Sequence, residues 1–320
     1  MNSNIPTNTA ELDFRARYEL ADDEIDLREL FAAIWSGKLL ISAITGLFAI
    51  AAVAFALYLP NVYKSEALLA PVSAEKGGGL AALAGQFGGL ASLAGINLGG
   101  GSADNTAMAI EVMKSRQFIN HFIDKHELLV PLMAAKGWDA GANALELDSD
   151  IYDAETQTWL REPNPPRGTK PSSQEAYEAF TELMSVEQDK QTGLIKVSIE
   201  HYSPHLAQKW VSWLVDEINQ VMKQRELGEA QRSISYLEQQ LAQTRIAEMQ
   251  SVLYQLIEEQ AKTVMFAEVR DEYVFKTVDA AVVPELKAKP ARALICVLGT
   301  LLGGMLGVML VLIRHFARKG

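Results

Sequence analysis

His201 and His205 stand four residues apart, a spacing that can set two imidazoles on one helical face and let them hold a metal ion. Ser203-Pro204 lies between them, however, and serine followed by proline starts a helix, so the two rings need not share a face. The pair reads as a solvated helix start. His121 and His126 have no accompanying carboxylate pattern and read the same way. Glu258 and Glu259 could serve as paired acid and base, but in a long polar helix such residues form a water-facing side. Cys296 is the one cysteine, set in an apolar run where it serves as a small filler; no disulfide can form within the chain. HExxH, CxxC, GxSxG and GxxxxGK[ST] are all absent. The expectation is a chain with no catalytic residues, no metal, no cofactor and no kinase or ATPase domain.

One spacing with a physical purpose remains. Gly299, Gly303 and Gly307 recur every four residues, with Gly304 alongside, inside an apolar stretch. Such a stripe lets two helix backbones approach closely, and it is expected to act in membrane-helix packing. Its partner is either the first span of the same chain or another subunit. Pro284 and Pro290 precede it and stiffen the approach by fixing φ.

The elements that must position these residues begin with two apolar runs. Residues 39–59 and 293–313 are each long enough to cross a hydrocarbon core of about 30 Å at about 1.5 Å per residue. Ala54-Phe55-Ala56 imitates a cleavage site, but Leu57, Tyr58 and Leu59 carry the run onward, and an acidic leader precedes it. The first run therefore reads as a retained anchor. Arg15, Arg17, Arg28 and Lys38 precede it, and few cations follow, which favours a cytoplasmic N-terminus. Residues 1–38 and 314–320 are then cytoplasmic and residues 60–292 lie on the far side. The net charge of −11 gives no footprint for a nucleic-acid partner.

Within the leader an amphipathic helix is expected from Asp22, with Asp26 and Glu29 as a capping box and Ile25, Leu30, Phe31, Ile34 and Trp35 on one face. Trp35 and Lys38 stand where interfacial anchors stand. Beyond Pro60 a strand is expected at Tyr63 to Leu69, then a helix from Asn105 to Lys125, an irregular stretch from Gly137 to Ser173 and a helix from Gln174 to Leu183. A hairpin should join Met184–Gln188 to Leu194–Ile199, and Tyr273 to Val283 should return as a strand to the sheet of Tyr63. A single helix is expected from Pro204 to about Thr263, on the order of 90 Å long, which must project or pair along its length. Its apolar steps at Ala230, Ile234, Leu237 and Leu241 shift phase before Met249, Leu253 and Leu256, too broken for a strict dimeric coiled coil. Gly228 reads as a tolerated glycine rather than a hinge.

Gly77 to Gly101 holds a tandem ten-residue repeat, Gly78 to Phe87 and Gly88 to Asn97, with Leu, Ile and Phe on a glycine-alanine backbone. It reads either as a mobile loop or as a segment that folds only against a neighbouring subunit, the bilayer surface or a membrane partner.

Four pieces of this sequence resemble the Wzz-type chain-length determinants, the polysaccharide co-polymerases of bacterial inner membranes. Residues 23–30 look like the family's N-terminal signature, and residues 60–67 look like its first periplasmic strand. The run Gly193 to Ser198 followed by Ser203-Pro204 is similar to the lead into its long helix. Pro284, Pro290, Gly303 and Gly307 fall in register with its membrane-proximal proline motif, whereas Ala281, Lys289 and Ala291 depart from that motif's proline, serine and lysine. The resemblance implies an α+β membrane protein: two transmembrane helices flanking a periplasmic α/β base domain from which a long helix projects. It implies a homo-oligomeric ring working with a separate polymerase on a lipid-linked glycan, most often O-antigen, without chemistry of its own. Related export proteins carry a cytoplasmic tyrosine kinase, so a second reading is the membrane adaptor of a split kinase system. A two-span sensor is a third, disfavoured by the short stretch after the second run.

Overall fold

The structure, a computed structural model, describes residues 27–72 and 101–319. The helix start expected at Asp22 with its Asp26 cap, and the glycine-rich repeat, lie outside the described residues. The chain divides into two compact units, one made of residues up to Leu59 and from Ala291 onward, the other of Pro60–Pro290. It combines helices with antiparallel sheet, as the expected α+β class requires.

Among its described residues the first unit holds three helices: α1 (Leu27–Ser36), α2 (Lys38–Tyr58) and α9 (Arg292–Lys319). α1 runs into α2 across Gly37, whose N–H donates to Ala33 O at 3.1 Å and whose carbonyl accepts from Ile41 N at 3.0 Å. Lys38–Tyr58 and Arg292–Arg318 are long and apolar enough to cross a membrane.

The second unit is built on a four-stranded antiparallel sheet ordered β6 (Met184–Gln188), β7 (Ile195–His201), β1 (Tyr63–Pro71) and β8 (Phe275–Asp279). Alternation sets its buried face. Ser65, Ala67 and Leu69 of β1 pair with Ile199, Val197 and Ile195 of β7, and all six are buried. Helix α7 (Pro204–Gln243) lays Trp210, Val211, Leu214 and Ile218 into the same core. The remaining helices of this layer are α3 (Gly101–Lys114), α4 (Arg116–Lys125), α5 (Leu129–Met133) and α6 (Ser173–Leu183). Phe122, Phe180 and Trp210 are fully buried, each such burial stabilising by roughly 1.5–3 kcal/mol.

Several expectations are corrected. The helix expected over residues 105–125 is two helices, because Ser115 takes an extended backbone and caps α4 by accepting from Phe118 N at 3.3 Å. The stretch expected to be irregular contains two small hairpins, β2 (Ala135–Asp139) with β3 (Ala144–Leu147) and β4 (Tyr152–Asp153) with β5 (Thr158–Trp159). The returning strand covers Phe275–Asp279 rather than all of 273–283. The long helix stops at Gln243, and α8 (Ala247–Val269) follows after Thr244, Arg245 and Ile246 in extended conformation or as caps.

α8 runs back along α7. Lys223 Nζ donates to Glu268 O at 3.2 Å and to Arg270 O at 3.1 Å, which sets the C-terminal end of α8 beside the middle of α7. Gly228 is helical and its surroundings are open, with only the Arg232 side chain near. It is no hinge. Two helices of about 60 Å and 34 Å thus stand where one of about 90 Å was expected.

Candidate functional site: a glycine-lined helix pair and a tied pair of strand ends

Glycine at every fourth position removes side chains from one line of α9, and in the structure that line faces α2 of the same chain. A Cβ at Gly299 would collide with Ala52 Cβ, and one at Gly303 would sit 2.6 Å from Phe48 Cβ and 3.2 Å from Thr45 Cα. At Gly307 it would meet Ile41 Cα at 3.1 Å. One rung further the roles reverse: a Cβ at Gly37 would sit 2.5 Å from both Val311 methyl groups. Gly304, by contrast, has only Thr45 Oγ1 at 3.8 Å and tolerates more. The two helices therefore pack antiparallel through four rungs, three with glycine on α9 and one with glycine on the α1–α2 junction. Gly37 belongs to this contact, and reading α9 alone missed it.

Arg292 closes one end of the pair. Its Nε donates to Ala56 O at 3.0 Å. Ala56 lies in the last turn of α2, where carbonyls lack helical partners and the dipole favours a cation.

Pro284 and Pro290 bracket the segment that ties the two ends of the second unit. Val62 N donates to Lys289 O at 3.0 Å, and Ala288 N and Lys289 N both donate to Val62 O, at 2.8 and 3.2 Å. Ser65 Oγ donates to Val282 O at 2.8 Å, and Gln208 Nε2 to Ala281 O at 3.2 Å. Lys289 Nζ pairs with Glu200 at 2.5 Å. The residue that replaces the motif's serine thus makes an ion pair here. Further along, Asn219 on α7 accepts from Val274 N and Phe275 N at 2.8 and 2.9 Å and donates to Phe275 O at 3.0 Å. β8 is an edge strand; Asn219 engages the N–H and C=O of Phe275 at its start, and Thr277 N donates to Glu272 Oε1 at 2.8 Å.

The histidines occupy different places. His201 is buried; its Nδ1 accepts from Ser203 N at 3.0 Å, so Nε2 carries the proton and donates to Pro131 O at 3.1 Å. Both nitrogens are engaged, and burial pushes its pKa down. His205 is exposed and sits edge-on to Trp138. His121 and His126 do have a carboxylate, contrary to the reading of their local sequence. Glu217, buried on α7, lies 2.5 Å from Lys125 Nζ, 3.5 Å from His121 Nε2 and 4.0 Å from His126 Nε2. The His126 ring stacks on Trp213, and burial lowers its pKa although Glu217 pulls the other way. Glu217 lies 92 residues from Lys125 along the chain and so leaves no local signal. Glu258 forms an exposed pair with Lys262 at 2.6 Å. Among the described residues no three His, Cys, Asp or Glu side chains converge as metal ligands do.

The family model of Wzz, chain length determinant protein, matches residues 23–126. The model of GNVR, "G-rich domain on putative tyrosine kinase", matches residues 237–316. No curated protein matches the chain. Among solved structures it is similar to a full-length bacterial polysaccharide co-polymerase at 15% identity and TM-score 0.38, over 92% of this chain and 99% of that one. A fragment of WzzB, a polysaccharide co-polymerase from Salmonella Typhimurium, aligns at 14% identity and TM-score 0.28, over 72% and 100%.

Proposed function

We propose, from the premise that this chain is a member of the Wzz-type polysaccharide co-polymerase family, that it regulates the chain length of a bacterial surface polysaccharide as a non-enzymatic scaffold. The match of residues 23–126 to the chain length determinant model carries this reading. The paired apolar helices support an inner-membrane location, and the cations Arg15, Arg17, Arg28 and Lys38 ahead of the first span favour cytoplasmic ends with Pro60 to Arg292 periplasmic. The scaffold is a homo-oligomeric ring that acts beside a separate polymerase on a lipid-linked glycan, O-antigen or a related polymer. Gly299, Gly303 and Gly307 hold the two spans together, and the segment from Pro284 to Pro290 ties the two ends of the periplasmic unit to each other. Deleting the gene and running the surface polysaccharide on a gel tests the proposal. A changed ladder of lengths is expected, and an unchanged ladder rejects it.

The GNVR match over residues 237–316 favours a second reading within the same family: a membrane adaptor for a tyrosine kinase in exopolysaccharide or capsule export. Purification of the tagged chain from its own membranes separates the two. A co-purifying tyrosine kinase, with O-antigen lengths unaffected by deletion, selects the adaptor.

A further inference from the structure

The second unit receives the chain and releases it at the same end of its sheet. Pro60 follows Tyr58, the last residue of α2, by two positions, and Pro290 precedes Arg292, the first residue of α9, by two. Val62 and Lys289 are bonded to each other, and the register of β1 with β7 starts beside them at Tyr63 and His201 and ends at Leu69 and Ile195. The hairpin turn from Asp189 to Gly193 therefore lies at the opposite end, about 20 Å along the strands. Beside the tie, Val282, Val283 and Leu286 are 68%, 40% and 84% exposed among the described residues. Their backbone is held: Ser65 Oγ donates to Val282 O, and Pro284 and Pro290, both half-buried, fix φ on either side of the exposed residues 285–289. Lys287 stands next to Leu286, with its Nζ 3.4 Å from Asn61 Oδ1. The ends of the helix pair carry matching chemistry. Tyr58 is 86% exposed and Arg292 caps α2 at Ala56 O, an aromatic and a cation of the kind that mark the headgroup level of a span.

We propose that residues 282–288 form a foot that rests in the phospholipid headgroup layer, with Leu286 seated at the edge of the acyl chains and Lys287 against lipid phosphates. The proposal rests on the reading of α2 and α9 as membrane spans. The foot has a mechanical purpose. Both connections to the spans meet at the Val62–Lys289 tie, and a unit held at one point can pivot. A leucine seated in the bilayer three residues from that point opposes the pivot and fixes the tilt of the sheet. Glu285 offsets one of the two lysines, and Lys289 is committed to Glu200, so the apolar side chains rather than charge set the contact, and anionic lipid is not required.

Depth-dependent quenching in the full-length chain tests the foot. Cys296 is replaced by alanine, and a single cysteine is introduced at Leu286, at Gln191 in the far turn, or at Leu301 on α9; each is labelled with the fluorophore NBD. The labelled chains are reconstituted in vesicles of phosphatidylethanolamine and phosphatidylglycerol, with phosphatidylcholine that carries a nitroxide either high or low on its acyl chain. The high nitroxide is expected to quench Leu286→Cys several-fold more than Gln191→Cys. Leu301→Cys, 60% exposed on α9, is expected to be quenched best by the low nitroxide, which checks the span reading separately. Quenching at Leu301 with none at Leu286 above the Gln191 level would overturn the foot and leave the spans standing. A blue-shifted Leu286 signal that neither nitroxide quenches would show that protein covers the segment, and would overturn it too. No quenching at any of the three positions would overturn both readings.

Discussion

Replacing Asn219 with leucine tests the tie between α7 and the edge strand. The side chain is 5% exposed and makes three hydrogen bonds, to Val274 N, Phe275 N and Phe275 O. Leucine has similar bulk and none of this capacity. Each buried polar group left unpaired costs about 1–3 kcal/mol, and water reaching an edge strand keeps the cost near the lower end. Three groups together give about 3 kcal/mol. At about 2–4 °C per kcal/mol for a unit of this size, the melting temperature should fall by about 6–12 °C. The assay is circular dichroism of the purified full-length chain in detergent, with Gln220→Leu, an exposed neighbour, as control. The control should move less than about 2 °C, in line with surface substitutions worth under about 0.5 kcal/mol. If Asn219→Leu also moved less than 2 °C, the side chain would not be holding β8.

Three further outcomes are expected. Gly303→Leu forces α2 and α9 apart against Phe48 and Thr45, an overpacking worth about 1–3 kcal/mol, and should lower detergent stability and shift polymer length, whereas Gly304→Ala should do neither. Glu175 is held at a pKa of about 2 by Arg161, whose guanidinium binds both carboxylate oxygens, and by Ser172 N. Its folded pKa is depressed, so its contribution is complete above about pH 4.5 and is lost toward pH 2. The melting-temperature gap between wild type and Glu175→Gln should therefore be constant at neutral pH and close on acidification. His201 is kept neutral by burial, so protonation below its ordinary value near 6.5 favours unfolding, and pH-dependent melts should show this loss reduced in His201→Gln.

The elements that local chemistry dictates were legible. Tyr63 to Leu69 alternates, Ser203-Pro204 caps, and the hairpin from Met184 has its turn at Gly193, the one described glycine with positive φ. The capping box of Ser172 and Glu175 is equally written in the sequence, since serine precedes glutamate by three. The break at Thr244, Arg245 and Ile246 was harder. It has no proline or glycine, and the only trace was the shift of apolar phase between Leu241 and Met249. A helix of polar and apolar residues without a breaker reads as continuous. What ends it is the gain from folding the apolar seam of α8 onto α7, which propensity does not encode.

The candidate site divides along the same line. Gly299, Gly303 and Gly307 announce close approach because their spacing matches the helix, but spacing names no partner. The partner depends on Ala52, Phe48, Thr45 and Ile41, ordinary residues in α2 whose only distinction is their position opposite the stripe. Gly37 is similarly anonymous until Val311 is seen against it. Asn219 and Glu217 carry this furthest. Each is a polar residue in a long helix, indistinguishable in sequence from its solvated neighbours Asp216 and Gln220, yet one engages the start of an edge strand and the other gathers Lys125 and two histidines. Both are buried because the sheet and α4 close over one face of α7. The residues that tie this fold together are thus polar groups at positions the apolar pattern assigns to the core, and in a sequence read alone the interruption of that pattern is their only mark.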